Sequence, residues 1–218
     1  MKTLLVVDVQ NDFLPPKGSL AVKGADKIVE PILNLIQDQS RDFHRVVFTR
    51  DWHPENHISF AKNHDLPGFS EYTYKSPRVG DDSTSVGTLW PVHCIQNTWG
   101  SQLAEPLLNE ASRHHNKVID KGFLPDREYY SAFNDIFNHH HTELDVYLQK
   151  HHTTEVYICG LAMDYCVKDT AISAVELGYK VYIYEDLTRP IFDDEEHMSK
   201  MYEELKAHGV ELIKSTDK

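Results

Sequence analysis

Short apolar, β-rich runs recur along the chain at residues 3–9, 45–49, 117–120, 155–159, 180–184 and 210–213. Between them the apolar positions change period. Ile28, Ile32, Leu35 and Ile36, and later Ala171, Ala174, Val175 and Leu177, fall three and four residues apart, which places them on one face of a helix. Gly178 and Gly209 each stand where a helix should stop and a strand begin. Strands alternating with helices require crossover connections and a parallel sheet covered on both faces. The pattern therefore predicts a three-layer α/β/α architecture on a six-stranded, mostly parallel sheet, with residues 1–218 as one domain. A long irregular stretch at about 52–91, rich in Pro, Gly, Asp, Ser and aromatic residues, interrupts the alternation. A loop of that length inside a compact domain is more often functional than idle. Residues 139–152 are expected to form a helical excursion at the periphery.

Charge narrows the classes of partner. The formal net charge of −12 disfavours nucleic acid or an anionic membrane, because both repel an acidic surface; a small neutral ligand stays open. His114-His115, residues 139–141 and His151-His152 sit among polar residues and are expected on the solvated surface. Cys94, Cys159 and Cys166 are odd in number and lack framework spacing, which points to reduced thiols in an intracellular compartment. The apolar run that ends at Asp8 is too short for a signal peptide, and no run approaches the ~20 residues that span a bilayer. With no retention or peroxisomal signal in Ser215-Thr216-Asp217-Lys218, a cytoplasmic location is expected; the oligomeric state, a homo-oligomer included, stays open.

Ligands of a parallel sheet bind beyond the carboxyl ends of its strands. Asp8 follows the first run. Asp51 follows the second, in Arg50-Asp51-Trp52-His53-Pro54, and Lys121 the third, in Ile119-Asp120-Lys121-Gly122-Phe123. After the fourth, the chain turns through Gly160-Leu161-Ala162-Met163-Asp164-Tyr165 to Cys166, just inside the next helix. Each residue alone has an ordinary structural role, as a packed thiol, a turn carboxylate or a surface amine. Together on one edge they form a nucleophile with acid–base machinery. A helix N-terminus and a neighbouring ammonium would favour the Cys166 thiolate, and Asp8 suits proton transfer if it is buried beside Lys121.

Asp51 and His53 form a second signal. Residues i and i+2 of extended chain point the same way, so both can grip one ion, and His93 at the far end of the long loop can supply a third ligand. Three such ligands leave positions open, as in a working metal site. The same set also suits non-haem iron, although oxygenase chemistry gives Cys166 no role. His57 is a further candidate ligand; a loop histidine is an equal reading. Cys94, adjacent to His93, is read as structural.

The segments Val6-Val7-Asp8-Val9-Gln10-Asn11-Asp12-Phe13, Thr49-Arg50-Asp51-Trp52-His53-Pro54, Leu89-Trp90-Pro91-Val92-His93-Cys94, Asp120-Lys121-Gly122 and Asp164-Tyr165-Cys166-Val167 closely resemble the nicotinamidases of the isochorismatase-like hydrolase superfamily, fungal ones in particular. The resemblance runs nearly end to end. It implies the isochorismatase-like fold and hydrolysis of nicotinamide to nicotinate and ammonia through a cysteine thioester, a step of NAD salvage. It further implies a triad of Asp8, Lys121 and Cys166, and zinc on Asp51, His53 and His93, with another divalent metal not distinguished. An oxyanion hole from the amides of Ala162 and Cys166 is implied, with a cis peptide between Leu161 and Ala162. Phe13 and Trp90 match aromatic positions beside the substrate ring. Isochorismate hydrolysis, or another amide or carbamoyl hydrolysis on this fold, is a second reading. A catalytically silent metal- or ligand-binding protein is a third.

Overall fold

A computed structural model describes residues 1–113 and 116–217; His114 and His115, expected at the surface, lie outside the described residues. The central sheet contains β1 (Lys2–Val7), β2 (Arg45–Asp51), β5 (Lys117–Lys121), β6 (Glu155–Leu161), β7 (Lys180–Arg189) and β8 (Glu211–Ile213). A separate antiparallel hairpin, β3 (Glu71–Lys75) and β4 (Thr84–Thr88), lies between β2 and β5 in sequence. The sheet order is β5-β2-β1-β6-β7-β8, and every pairing in it is parallel.

The sheet divides two cores, because successive side chains of a strand point to opposite faces. Leu4 and Val6 of β1 pack on one face with Ile28, Ile32 and Leu35 of helix α1 (Asp26–Gln37) and Leu107 of α2 (Leu107–Arg113). Leu5 and Val7 pack on the other, with Leu144 and Leu148 of α3 (Leu144–Lys150), Ala171 and Ala174 of α4 (Lys168–Glu176), and Met201 and Leu205 of α5 (Glu195–Ala207). Burial on both faces explains why β1 is an unbroken apolar run rather than an alternating one.

From β1 the chain builds outward through β2 to β5, then returns to place β6 on the other flank of β1. The order therefore reverses between β1 and β6, and the crevice beyond such a reversal is where α/β sheets bind ligands. Backbone contact there is close: a Cβ on Gly160 (φ +115°) would sit 2.1 Å from the carbonyl oxygen of Val7, so only glycine lets β6 pass.

Three local expectations change. The 52–91 stretch is not wholly irregular, since it holds the β3–β4 hairpin, whose buried Tyr74 packs with Ala61 and Leu89. β7 continues five residues past its expected end, to Arg189. Cys166 is not inside the following α-helix: it lies in a π-helical turn (Met163–Val167) that precedes α4.

Candidate active site

The register of β2 against β5 pairs Asp51 with Lys121, so two strand ends deliver a carboxylate and an ammonium side by side. Lys121 is fully buried. Its Nζ lies 2.5 Å from Asp51 Oδ1, 2.9 Å from Asp8 Oδ2, 3.1 Å from the Tyr129 carbonyl and 3.4 Å from Cys166 Sγ. Burial works against its charge, but Asp51, Asp8 and Cys166 outweigh it and hold the ammonium well above its ordinary range.

Asp8 caps β1 with a left-handed backbone (φ +48°), which turns its side chain inward. Thr49 donates its hydroxyl to Asp8 Oδ1 at 2.6 Å. Burial raises the Asp8 carboxyl, and the neighbouring Asp51 adds to this while Lys121 opposes it. Sγ of Cys166 and carboxylate oxygens of Asp8 and Asp51 all fall within 4.8 Å of one another. Burial, partly offset by Lys121, pushes the Cys166 thiol well above its ordinary range. The expected low thiol pKa is thus not found: desolvation and two facing carboxylates outweigh the ammonium, so the resting sulfur carries its proton and needs a base.

Asp51 is shared between two sets of partners. Its second oxygen lies 3.6 Å from His53 Nε2 and 3.7 Å from His93 Nε2. His53 Nδ1 is 2.8 Å from the carbonyl of Gly122, and His93 Nδ1 is 2.8 Å from that of Pro91. A carbonyl only accepts, so each Nδ1 must carry a proton, which leaves Nε2 as the ring nitrogen that faces Asp51 and that a metal could take. Ligand atoms ~2.1 Å from one tetrahedral ion stand ~3.4 Å apart, close to these spacings. The three residues therefore fit a divalent metal ion. Burial raises Asp51, but Lys121 and His53 outweigh it and hold its carboxyl well below the usual carboxylate range, as a metal ligand requires.

His53, His57 and Glu128 form a second cluster with ligand atoms within 4.8 Å. His53 has one free ring nitrogen, so the two clusters cannot each hold an ion through it. His57 Nδ1 is 2.7 Å from Ser59 Oγ, and its buried Nε2 has no hydrogen-bond partner. Burial, with the neighbouring His53, holds His57 well below its ordinary range and therefore neutral.

A small cavity is lined by Cys166, Ala162, Asp51, His53 and His93 together with Phe13, Leu20, Trp90, Tyr130, Tyr165 and Ile191. Trp90 meets Tyr165 nearly edge-on, with ring centroids 4.7 Å apart. The peptide between Leu161 and Ala162 is cis, and the Ala162 carbonyl accepts from the amides of Tyr165 and Val167, which winds the π-turn directly before and after the sulfur. The sequence reading passed over Gln10. Its Oε1 accepts from the Asp51 amide at 2.7 Å, and its Nε2 donates to the carbonyls of Asp51 (2.8 Å) and Ser101 (2.9 Å), locking by its backbone the aspartate that faces the two histidines. Tyr130, Tyr165 and Ile191 were also missed, because no spacing rule links them to the strand ends.

A family model described as the isochorismatase domain matches residues 2–217. The nicotinamidase of Saccharomyces cerevisiae is 60% identical over 214 residues, covering 98% of this chain and 99% of that one. The crystal structure of the yeast nicotinamidase bound to the inhibitor nicotinaldehyde is similar with a TM-score of 0.96 at 59% identity, covering 99% of this chain and 100% of that one. The pyrazinamidase of Pyrococcus horikoshii in complex with zinc is similar with a TM-score of 0.76 at 33% identity, covering 98% of each chain.

Proposed function

The chain belongs to the isochorismatase family, and we propose that it is a nicotinamidase that releases ammonia from nicotinamide through a thioester on Cys166. One observation carries this reading: a single buried ammonium, Lys121, touches both Asp8 (2.9 Å) and Cys166 (3.4 Å) beside an aromatic-walled cavity. Supporting it is the 60% identity to a nicotinamidase along nearly the whole chain.

Asp8 takes the thiol proton, and the sulfur attacks the carboxamide carbon. The negative charge moves from carboxylate oxygen to sulfur without leaving the reach of Lys121, so the ion pair is remade rather than broken. Charge then gathers on the carbonyl oxygen, which the amides of Ala162 and Cys166 receive; one such donor is worth ~3 kcal/mol. Asp8 returns its proton to the nitrogen, the C–N bond breaks and ammonia leaves. Asp8 next takes a proton from water, hydroxide adds to the thioester carbon, and the sulfur departs with a proton from Asp8, freeing nicotinate. Phe13 and Trp90 wall the pyridine ring. Asp51, His53 and His93 would hold a divalent metal, zinc in this reading, whose chemistry when bound is to accept the pyridine nitrogen as a Lewis acid and so orient the ring.

The test is ammonia release from nicotinamide by the wild-type protein and by Cys166→Ala. The variant should fall to background; turnover near wild type would remove sulfur from the mechanism. Chelation should abolish activity and added zinc restore it, while full activity in metal-free protein would refute the metal's part.

A further inference from the structure

The buried carboxylate of Asp164 lies two residues before Cys166, in the same π-turn, yet its hydrogen-bond partners lie on another segment. Its side chain is fully buried. Asp164 Oδ1 accepts the amide of Ile191 at 2.9 Å, Oδ2 accepts the amide of Phe192 at 3.0 Å, and His197 Nε2 stands 3.0 Å from Oδ2. All of these partners lie on or just beyond the strap that leaves β7 at Arg189 and enters α5 at Glu195. Pro190 has no amide to donate, so Ile191 and Phe192 offer the first two free N–H groups of the strap, and one carboxylate takes both. Ile191 lines the same cavity as Cys166. Phe192 sets its ring 6.2 Å from Tyr165, another wall of that cavity.

We propose that Asp164 is a positioning residue that sets substrate specificity by clamping the Ile191–Phe192 strap, so that Ile191 closes the space beside the substrate ring. The inference rests on the nicotinamidase reading. A neutral amide at position 164 can accept from one strap N–H, but its own NH2 group would oppose the other. The clamp is therefore specific to a carboxylate. Loosening it lets Ile191 retreat and opens room of about one methyl group, and a methyl group in an apolar pocket is worth about tenfold or more in selectivity.

The experiment compares wild type, Asp164→Asn, Pro190→Gly and Ile191→Ala, each loaded with zinc, on nicotinamide and a panel of methyl-substituted pyridine-3-carboxamides, reading kcat and KM separately. Ile191→Ala identifies the panel member that the isoleucine excludes. Asp164→Asn and Pro190→Gly should favour that same member by about five- to tenfold relative to nicotinamide, chiefly through KM. Pro190→Gly keeps the buried carboxylate but frees the backbone that presents both N–H groups, loosening the same clamp from the strap side, and so decides the matter if Asp164→Asn does not fold. Selectivity unchanged within twofold in the strap variants overturns the clamp, and an unchanged Ile191→Ala overturns the wall. Failure of the wild-type protein on nicotinamide would instead overturn the function on which the inference rests.

Discussion

Gly122→Ala should weaken metal binding without replacing any candidate ligand. Gly122 has φ +68°, and a Cβ built there would lie 2.3 Å from Cε1 and 2.6 Å from Nδ1 of His53. The left-handed backbone costs an alanine about 1–2 kcal/mol. The ring cannot tolerate the contact, so it must turn away and lose the 2.8 Å bond between Nδ1 and the Gly122 carbonyl, worth about 1 kcal/mol. We therefore expect metal-free protein to lose about 2–3 kcal/mol in urea unfolding. Because that carbonyl fixes both the tautomer and the direction of Nε2, metal affinity should fall about 10–100-fold, equivalent to about 1.4–2.8 kcal/mol. A competition titration against a chromophoric chelator measures the affinity directly. Destabilised protein that still binds metal with wild-type affinity would show that His53 is not a ligand. A variant unchanged in both would show that the ring has room that the packing denies.

Gln10→Leu leaves the amide and carbonyl of Asp51 and the carbonyl of Ser101 without their partner. At about 1–3 kcal/mol for each of three buried orphans, we expect a loss of about 3–9 kcal/mol in urea unfolding and weaker metal binding; wild-type values in both would refute the clamp. Thr49→Val removes the hydroxyl donor that favours ionised Asp8. As burial already raises this carboxyl, losing the donor raises it further, so the acid limb of kcat/KM at saturating metal should move to higher pH; movement to lower pH would exclude Asp8 as the base. Cys94 and Cys159 are fully buried, whereas Cys166 is 9% exposed and borders the cavity. Peptide mapping after mild alkylation should find Cys166 modified first and protected by nicotinamide, and early modification of Cys94 or Cys159 would contradict this packing.

The strand ends were legible because apolar period and parallel topology together fix where each run stops. Asp8, Asp51 and Lys121 could thus be placed on one edge before any register was known. The register itself was not legible: nothing in residues 45–51 or 117–121 says that Asp51 pairs with Lys121. The β3–β4 hairpin was missed because its strands carry Thr, Ser, Gly and Lys with few buried positions, leaving Tyr74 as its main anchor. The thiol was read as acidic from its place near a helix start. Burial beside two carboxylates is a property of several segments at once, and no local pattern reports it. Gln10 was invisible for the same reason, since its three partners lie on segments 41 and 91 residues away.

The shared Asp51 makes the candidate metal site and the triad one electrostatic unit. Asp8 and Asp51 set two carboxylates against the single ammonium of Lys121, so the buried pocket is rich in acidic groups. Burial raises the carboxyl of Glu128, a third acid beside the same cavity, and His53 opposes the rise. Such a pocket repels the anion that must form when sulfur attacks a carbonyl. The same acidic groups raise the Cys166 thiol and draw a cation toward His53 and His93. A divalent charge held by Asp51 would shift the balance toward positive, so that one binding event both fills the histidine cluster and makes the cavity hospitable to developing negative charge. Because Asp51 offers one oxygen to Lys121 and the other to the histidines, neither half of the site can change its charge without the other responding.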